Sequence, residues 1–190
     1  MIAALFVERG GPYFGRPDVD PWDIERDARM YAGPHPVVAH PPCGPWSELR
    51  HLYKGDEHDC ADFALRAVRR YGGVMEHPLR STYWRRSGIV EPGNFDAAGG
   101  FTVDVEQVSW GHVARKPTRL YFVGVPLERV VSSIRTGGIP THWVSGSRTN
   151  KHGGSVPPGI KVCSAQQRRR TPPAFADWLI YLSSAAWRAR

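Results

Sequence analysis

The chain is poor in cysteine and has no long apolar run. Its three cysteines, Cys43, Cys60 and Cys163, lie far apart in 190 residues. An odd, sparse set builds no disulfide framework, and a reducing, cytoplasmic setting fits such usage. No stretch approaches the ~18 apolar residues of a membrane-spanning helix, so no membrane partner is expected. The opening MIAALFVERGG has no basic segment before its apolar run and no small-residue cleavage site. It reads as a buried strand rather than a secretory signal. Internal repeats and low-complexity tracts are also missing.

Glycine and proline are plentiful, at 20 and 17 residues. Elements should therefore be short and often interrupted. Hydrophobic residues make up 41% and charged residues 23%, which suits one domain with a real core. The formal charge is +7 and the pI about 9.7, a balance that leans toward a polyanionic partner.

Apolar patterning predicts buried strands at 2–7 and 36–39, with a third at 74–77. Residues 8–22 hold too much glycine and proline for anything but loop, and Asp23 to Tyr31 suits a short helix. The clearest helix covers 56–71, with acids early, arginines late and Gly72-Gly73 to close it. Further strands are expected at 101–108 and 120–125, a long loop over 132–160, and an apolar helix over 174–187 opened by Pro172-Pro173. Strand, helix, strand is the pattern of an α/β fold with a parallel or mixed sheet, whose ligands bind at the carboxyl ends of strands.

Two such ends carry reactive residues. In His40-Pro41-Pro42-Cys43-Gly44-Pro45-Trp46 the two prolines fix the backbone and remove two amide donors. A cysteine there is held at a defined point, and Gly44 permits close approach by a ligand or another segment. In Gly73-Val74-Met75-Glu76-His77-Pro78 a carboxylate follows an apolar run. Desolvation should raise its pKa and favour proton transfer. A third segment, Arg115-Lys116-Pro117-Thr118-Arg119, sets three cations before a strand, where arginine forks can bind phosphate. Arg168, Arg169 and Arg170 can do the same. Trp46, Trp84, Trp110 and Trp143 are candidates for base stacking or for core. His51, His58, Asp59 and Cys60 have the wrong spacing for a metal on one helix face, so no metal is expected.

Taken in order, Pro41-Pro42-Cys43, Glu76-His77-Pro78 and Arg115-Lys116-Pro117-Thr118-Arg119-Leu120-Tyr121-Phe122-Val123-Gly124 resemble the motifs of cytosine carbon-5 DNA methyltransferases, in particular compact phage-type members. Arg170-Thr171-Pro172-Pro173-Ala174-Phe175-Ala176 is similar to the start of that family's final helix. The resemblance implies a truncated, three-layer Rossmann-like fold: one catalytic domain over 1–190, with 132–160 as a vestigial recognition region. It implies that Cys43 adds to carbon 6 of cytosine and that Glu76 contacts ring nitrogen 3 and the amino group. Arg115 and Arg119 would steady the nucleophile loop and the target nucleotide. Pro41, Pro42, His77, Pro78 and Lys116 would line the substrate, a base flipped from DNA.

The resemblance also implies S-adenosylmethionine, lying on Phe6, Gly10 and Gly11 with its ribose near Asp23 or Glu25. Yet only eleven residues, Pro12 to Trp22, separate Gly11 from Asp23. Three are proline, so no full helix fits and the cofactor site is altered or lost. His77 stands where the family has asparagine, and Gln107 lies far from Arg115 in the chain. A catalytically silent nucleic-acid-binding protein of the same fold stays open beside the enzyme reading. So does the same nucleophile chemistry on a free nucleotide or with another one-carbon donor.

Overall fold

The computed structural model describes residues 1–47, 50–144 and 156–186. Apolar runs rich in Val, Ile and Ala form β1 (Ile2–Leu5) and β3 (Val37–Ala39), and the mixed run Val-Asp-Pro-Trp forms β2 (Val19–Trp22). Helix α1 (Cys60–Tyr71), β4 (Gly73–Pro78), the single-turn α2 (Tyr83–Arg86), β5 (Phe101–Glu106) and β6 (Pro117–Val123) follow. Then come α3 (Leu127–Ser133), the two-residue strands β7 (His142–Trp143) and β8 (Lys161–Val162), α4 (Ala165–Arg169) and α5 (Pro173–Ser183).

The protein is mixed α/β. Its sheet runs β2-β1-β3-β4-β6-β5. The first four strands are parallel; β6 lies antiparallel to both β4 and β5. Side chains alternate between two cores, as strand geometry requires. Ala4, Val38, Val74, Leu120 and Phe122 face α5, with Phe175, Leu179 and Leu182. Leu5, Ala39, Met75 and Tyr121 face α1, with Ala61, Ala64 and Val68. The sheet is thus sandwiched between two helices.

Several boundaries differ from the sequence expectation. The helix expected from 56 begins at Cys60, after a 3-10 turn at Glu57–Asp59. The segment Asp23 to Tyr31 is turns and a 3-10 turn, Ala28–Met30, because Asp23 spends its carboxylate on the amides of Glu25 and Arg26 and closes a tight turn there. The stretch 8–22 yields an edge strand, β2, despite Pro21, since an edge tolerates a missing donor. The expected loop 132–160 holds β7, and its residues 145–155 lie outside the described ones. Among the described residues no helix is long and apolar enough to cross a membrane.

Candidate active site

The carboxyl ends of β3 and β4 lie side by side, since Val38 pairs with Val74 and Ala39 with Met75. Past β3 the two prolines turn the chain, and Cys43 opens a 3-10 turn over Gly44–Trp46. Cys43 is exposed, whereas Cys60 and Cys163 are buried. The close approach expected at Gly44 is made by Tyr53, whose ring would lie 2.2 Å from an added Cβ.

Glu76 is the fourth residue of β4 rather than a residue past its end. Its side chain shares the α5 face with Val74 and Leu120 and is 11% exposed. Its Oε2 lies 3.0 Å from Nδ1 of His40, and its Oε1 accepts from Nε2 of Gln107 at 3.3 Å. Nε2 of His40 is joined to the hydroxyl of buried Tyr13 at 2.7 Å. Gln107 also donates to Oγ1 of Thr118 at 3.0 Å, and Thr118 donates to the Lys116 carbonyl at 2.9 Å. Gln107 arrives because the β5–β6 pairing sets Glu106 against Pro117, which folds residues 107–116 back on themselves. Distance along the chain from Arg115 was no obstacle.

The expected rise of the Glu76 pKa is overturned. Burial does push it up, but the His40 hydrogen bond and the charges of His40, Lys116 and His77 outweigh burial and bring it to about 2. A cationic setting, which strand position alone does not reveal, decides the sign. The Cys43 thiol moves the other way: although the residue is open to solvent, the protein crowded around its sulfur and the negative charge of Glu76 raise it, against the pull of Lys116 and Arg169. Lys116 has its own pKa lowered by burial, against the charges of Glu76, Cys43, Cys163 and Glu8. Its Nζ donates to the Arg170 carbonyl at 2.9 Å, and its backbone sits at φ 45°. Cys43, Glu76 and Lys116 therefore form one electrostatic cluster.

No protein-family model, no curated protein and no solved structure matches this chain. Geometry alone must sort the remaining expectations.

Arg119 is not part of the cluster. It pairs in register with His77, on the α1 side of the sheet, and its guanidinium is taken by Asp104, at 2.7 and 3.0 Å, and by Glu91 at 2.7 Å. Period-2 alternation puts Arg119 and Glu76 on opposite faces, so Arg119 cannot touch a base held by Glu76. His77 is likewise on the far face. It is fully buried between Tyr83 and Trp84, and neither ring nitrogen makes a well-formed hydrogen bond, although the Pro42 backbone stands close enough to be felt. Burial lowers its pKa to about 4, although Glu76 and the Pro42 carbonyl favour its protonated form. It lies behind the Pro41–Cys43 turn, on the face of the sheet away from Glu76. Pro78 accepts from the Trp84 indole at 2.8 Å, Pro41 is buried and Pro42 half-buried, so these residues shape the turn. Arg115 is exposed and loosely paired with Glu106 at 3.4 Å. Trp46, Trp84 and Trp110 are core, and Trp143 is half-buried in β7.

The cofactor expectations divide. Gly10 and Gly11 line a cleft of about 520 Å³, together with Arg9, Gln167, Arg170 and Thr171. Phe6 instead packs edge-on against Phe63 of α1, with centroids 6.2 Å apart. Asp23 is 7% exposed and caps its own turn, and Glu25 is paired with Arg9. No helix follows β1. These residues do not make the expected S-adenosylmethionine pocket: the glycines border a cleft, but both acids meant for the ribose are committed elsewhere.

The sequence reading passed over Tyr13, Gln107 and Thr118 as site residues. His40 carried a signal, its place beside the double proline. Tyr13 carried none, because its partner lies 27 residues away.

Proposed function

We propose that this protein modifies cytosine in DNA through a transient bond between Cys43 Sγ and ring carbon 6, in the manner of the cytosine carbon-5 methyltransferases its motifs resemble. The observation that carries this reading is the pairing of an exposed cysteine on a rigid turn with a buried carboxylate on the adjoining strand, whose charge the thiol feels. Cytosine offers an amino group and a ring nitrogen that suit Glu76. Polarising that edge makes carbon 6 electrophilic toward sulfur. At rest the thiol is held protonated in part by Glu76. A base that covers Glu76 would relieve this repulsion, so the nucleophile is released by the substrate it attacks. The base must leave its stack to reach Cys43. Arg9, Arg115, Lys116 and Arg168 to Arg170 supply the positive surface for phosphates.

Once sulfur has added to carbon 6, an electron pair sits at carbon 5. Without an added electrophile it takes a proton from water, and reversal releases the original hydrogen. The test is deuterium uptake at cytosine carbon 5 in duplex DNA, single-stranded DNA and the free nucleotide. Uptake in DNA that Cys43→Ser abolishes is the expected result. Uptake in the free nucleotide alone would move the substrate class. No uptake, together with DNA binding that weakens steeply with salt, would favour the silent binding protein, the reading to which the commitment of Asp23 and Glu25 also points.

A further inference from the structure

Glu76 meets a problem in that reaction. A carboxylate cannot give a proton to ring nitrogen 3, and its two oxygens already accept hydrogen bonds from His40 and Gln107. The proton has to come from a neighbour. His40 is the neighbour in direct contact that can carry one, through Nδ1 at 3.0 Å from the carboxylate. The two side chains are equally buried, at 11% exposure each.

Beyond His40 lies Tyr13, 2% exposed and 2.7 Å away. A phenol both donates and accepts. When His40 is neutral and keeps its proton on Nδ1, Tyr13 donates to Nε2. When His40 is charged, Nε2 donates to Tyr13. The Nε2 side of the ring therefore keeps its partner whether the ring is neutral or charged. A site built only to hold Glu76 still would not need a partner of this kind. The other charged or titratable groups nearby are Lys116 and His77, which act on Glu76; Arg16 and Asp177, which act on Tyr13; and Cys43, three residues along the same turn.

We infer that His40, kept paired by Tyr13, is a positioning residue that loads Glu76 with the proton it passes to the base. This rests on the cytosine-modifying reading above. The Nδ1–H bond of the charged, doubly protonated His40 breaks as a carboxyl O–H bond forms on Glu76, which leaves the ring neutral with its remaining proton on Nε2, donated to Tyr13. That proton then passes to ring nitrogen 3 as sulfur bonds to carbon 6 and the electron pair moves to carbon 5. Reversal returns the proton by the same path.

Two measurements test this on the full chain. The first follows the Glu76 carboxyl by carbon-13 NMR across pH. In His40→Gln its midpoint should climb by about two pH units, because burial then acts with less opposition. The second is the pH profile of deuterium uptake at carbon 5. In His40→Gln the rate should fall on the order of 100-fold and the limb of the profile that His40 sets should vanish. Tyr13→Phe should move that limb with a smaller loss of rate. His40→Asn serves as a second variant should the first fail to fold. A Glu76 midpoint that does not move, or uptake at the wild-type rate with the wild-type profile in His40→Gln, overturns the relay and leaves the cysteine chemistry standing. A moving midpoint with no uptake in the wild type sinks the cysteine chemistry and upholds the His40–Glu76 coupling.

Discussion

Between β1 and β2 the chain crosses the sheet in turns, over Phe6 to Asp18; between β3 and β4 it crosses through α1. Both crossovers join neighbouring parallel strands, and they run over opposite faces. The helical one buries Ala61, Ala64, Leu65 and Val68 and supplies no group to the Glu76 cluster beyond its opening turn. The helix-less one is held by short turns, Gly11 N to Glu8 O at 2.9 Å and Phe14 N to Gly11 O at 3.1 Å, and buries Val7 and, beside His40, its one large fully buried side chain, Tyr13. A helix needs a stripe of apolar residues to hold its place. A chain of turns can be anchored by one large side chain, which leaves its backbone free to border a cleft. The helical crossover packs apart from the Glu76 cluster; the helix-less one packs into it.

The largest effect should come at the exit of the helical crossover. Gly73 has φ 114°, and an added Cβ would lie 2.0 Å from the Val37 carbonyl oxygen, which β3 holds in the sheet. Gly73→Ala should cost about 4 kcal/mol or more and leave little folded protein at 37 °C, read by thermal melting. A mild loss would mean that β3 can shift, and that this crossover is less rigid than its packing implies.

Next, Tyr13→Ala should cost about 3–5 kcal/mol, as a fully buried aromatic does, whereas Tyr13→Phe should cost about 1 kcal/mol, one hydrogen bond. Equal costs for the two would show that the hydroxyl, not the ring, anchors the helix-less crossover. Chemical denaturation of both variants decides it.

A third outcome concerns pH. His77 folds with its pKa lowered from 6.5 to about 4, so the unfolded chain takes up its proton first. The stability it contributes is whole above pH 6.5 and is lost as pH falls toward 4. Glu76, lowered from 4.5 to about 2, contributes stability that is whole above pH 4.5 and is lost as pH falls toward 2. His77→Leu should flatten the first window and leave the second. Melting curves from pH 7 to 3 would reveal it, and an unchanged slope between 6.5 and 4 would refute the assignment.

The smallest effects belong to the surface of the helix-less crossover. At Gly11 an added Cβ would sit 2.8 Å from the Glu8 carbonyl oxygen, the acceptor that closes this surface turn, so Gly11→Ala must shift backbone and should cost about 1–2 kcal/mol. Arg9→Ala breaks a pair whose side chains are 72% and 60% exposed, and the melt should barely move.

The same contrast explains what could be read from sequence. The helical crossover announced itself through apolar spacing, early acids and the closing glycines, and its strands through Val-rich runs. Cys43 and Glu76 were legible because proline ends each strand run and alternation sets the reactive residue at one edge. What alternation also dictates, the opposite facing of Arg119 and His77, needed the register of β6 on β4, which no local pattern encodes. Edge strand β2 was hidden by Pro21, and Tyr13 by lying among turn residues. Asp23 and Glu25 looked free for a ligand because the turn and the Arg9 pair that occupy them form only in three dimensions.

Under α5 the indole of Trp110 lies 4.5 Å from that of Trp178, at 33° between planes, with the Phe175 ring 5.3 Å away. Two indoles this close and skewed share their excited states, so the pair has its own chiroptical signature. That signal exists only while α5 is docked over the face that carries Glu76 and His40. The protein thus carries a built-in optical gauge of whether that side of the sheet is closed, readable by circular dichroism without any label.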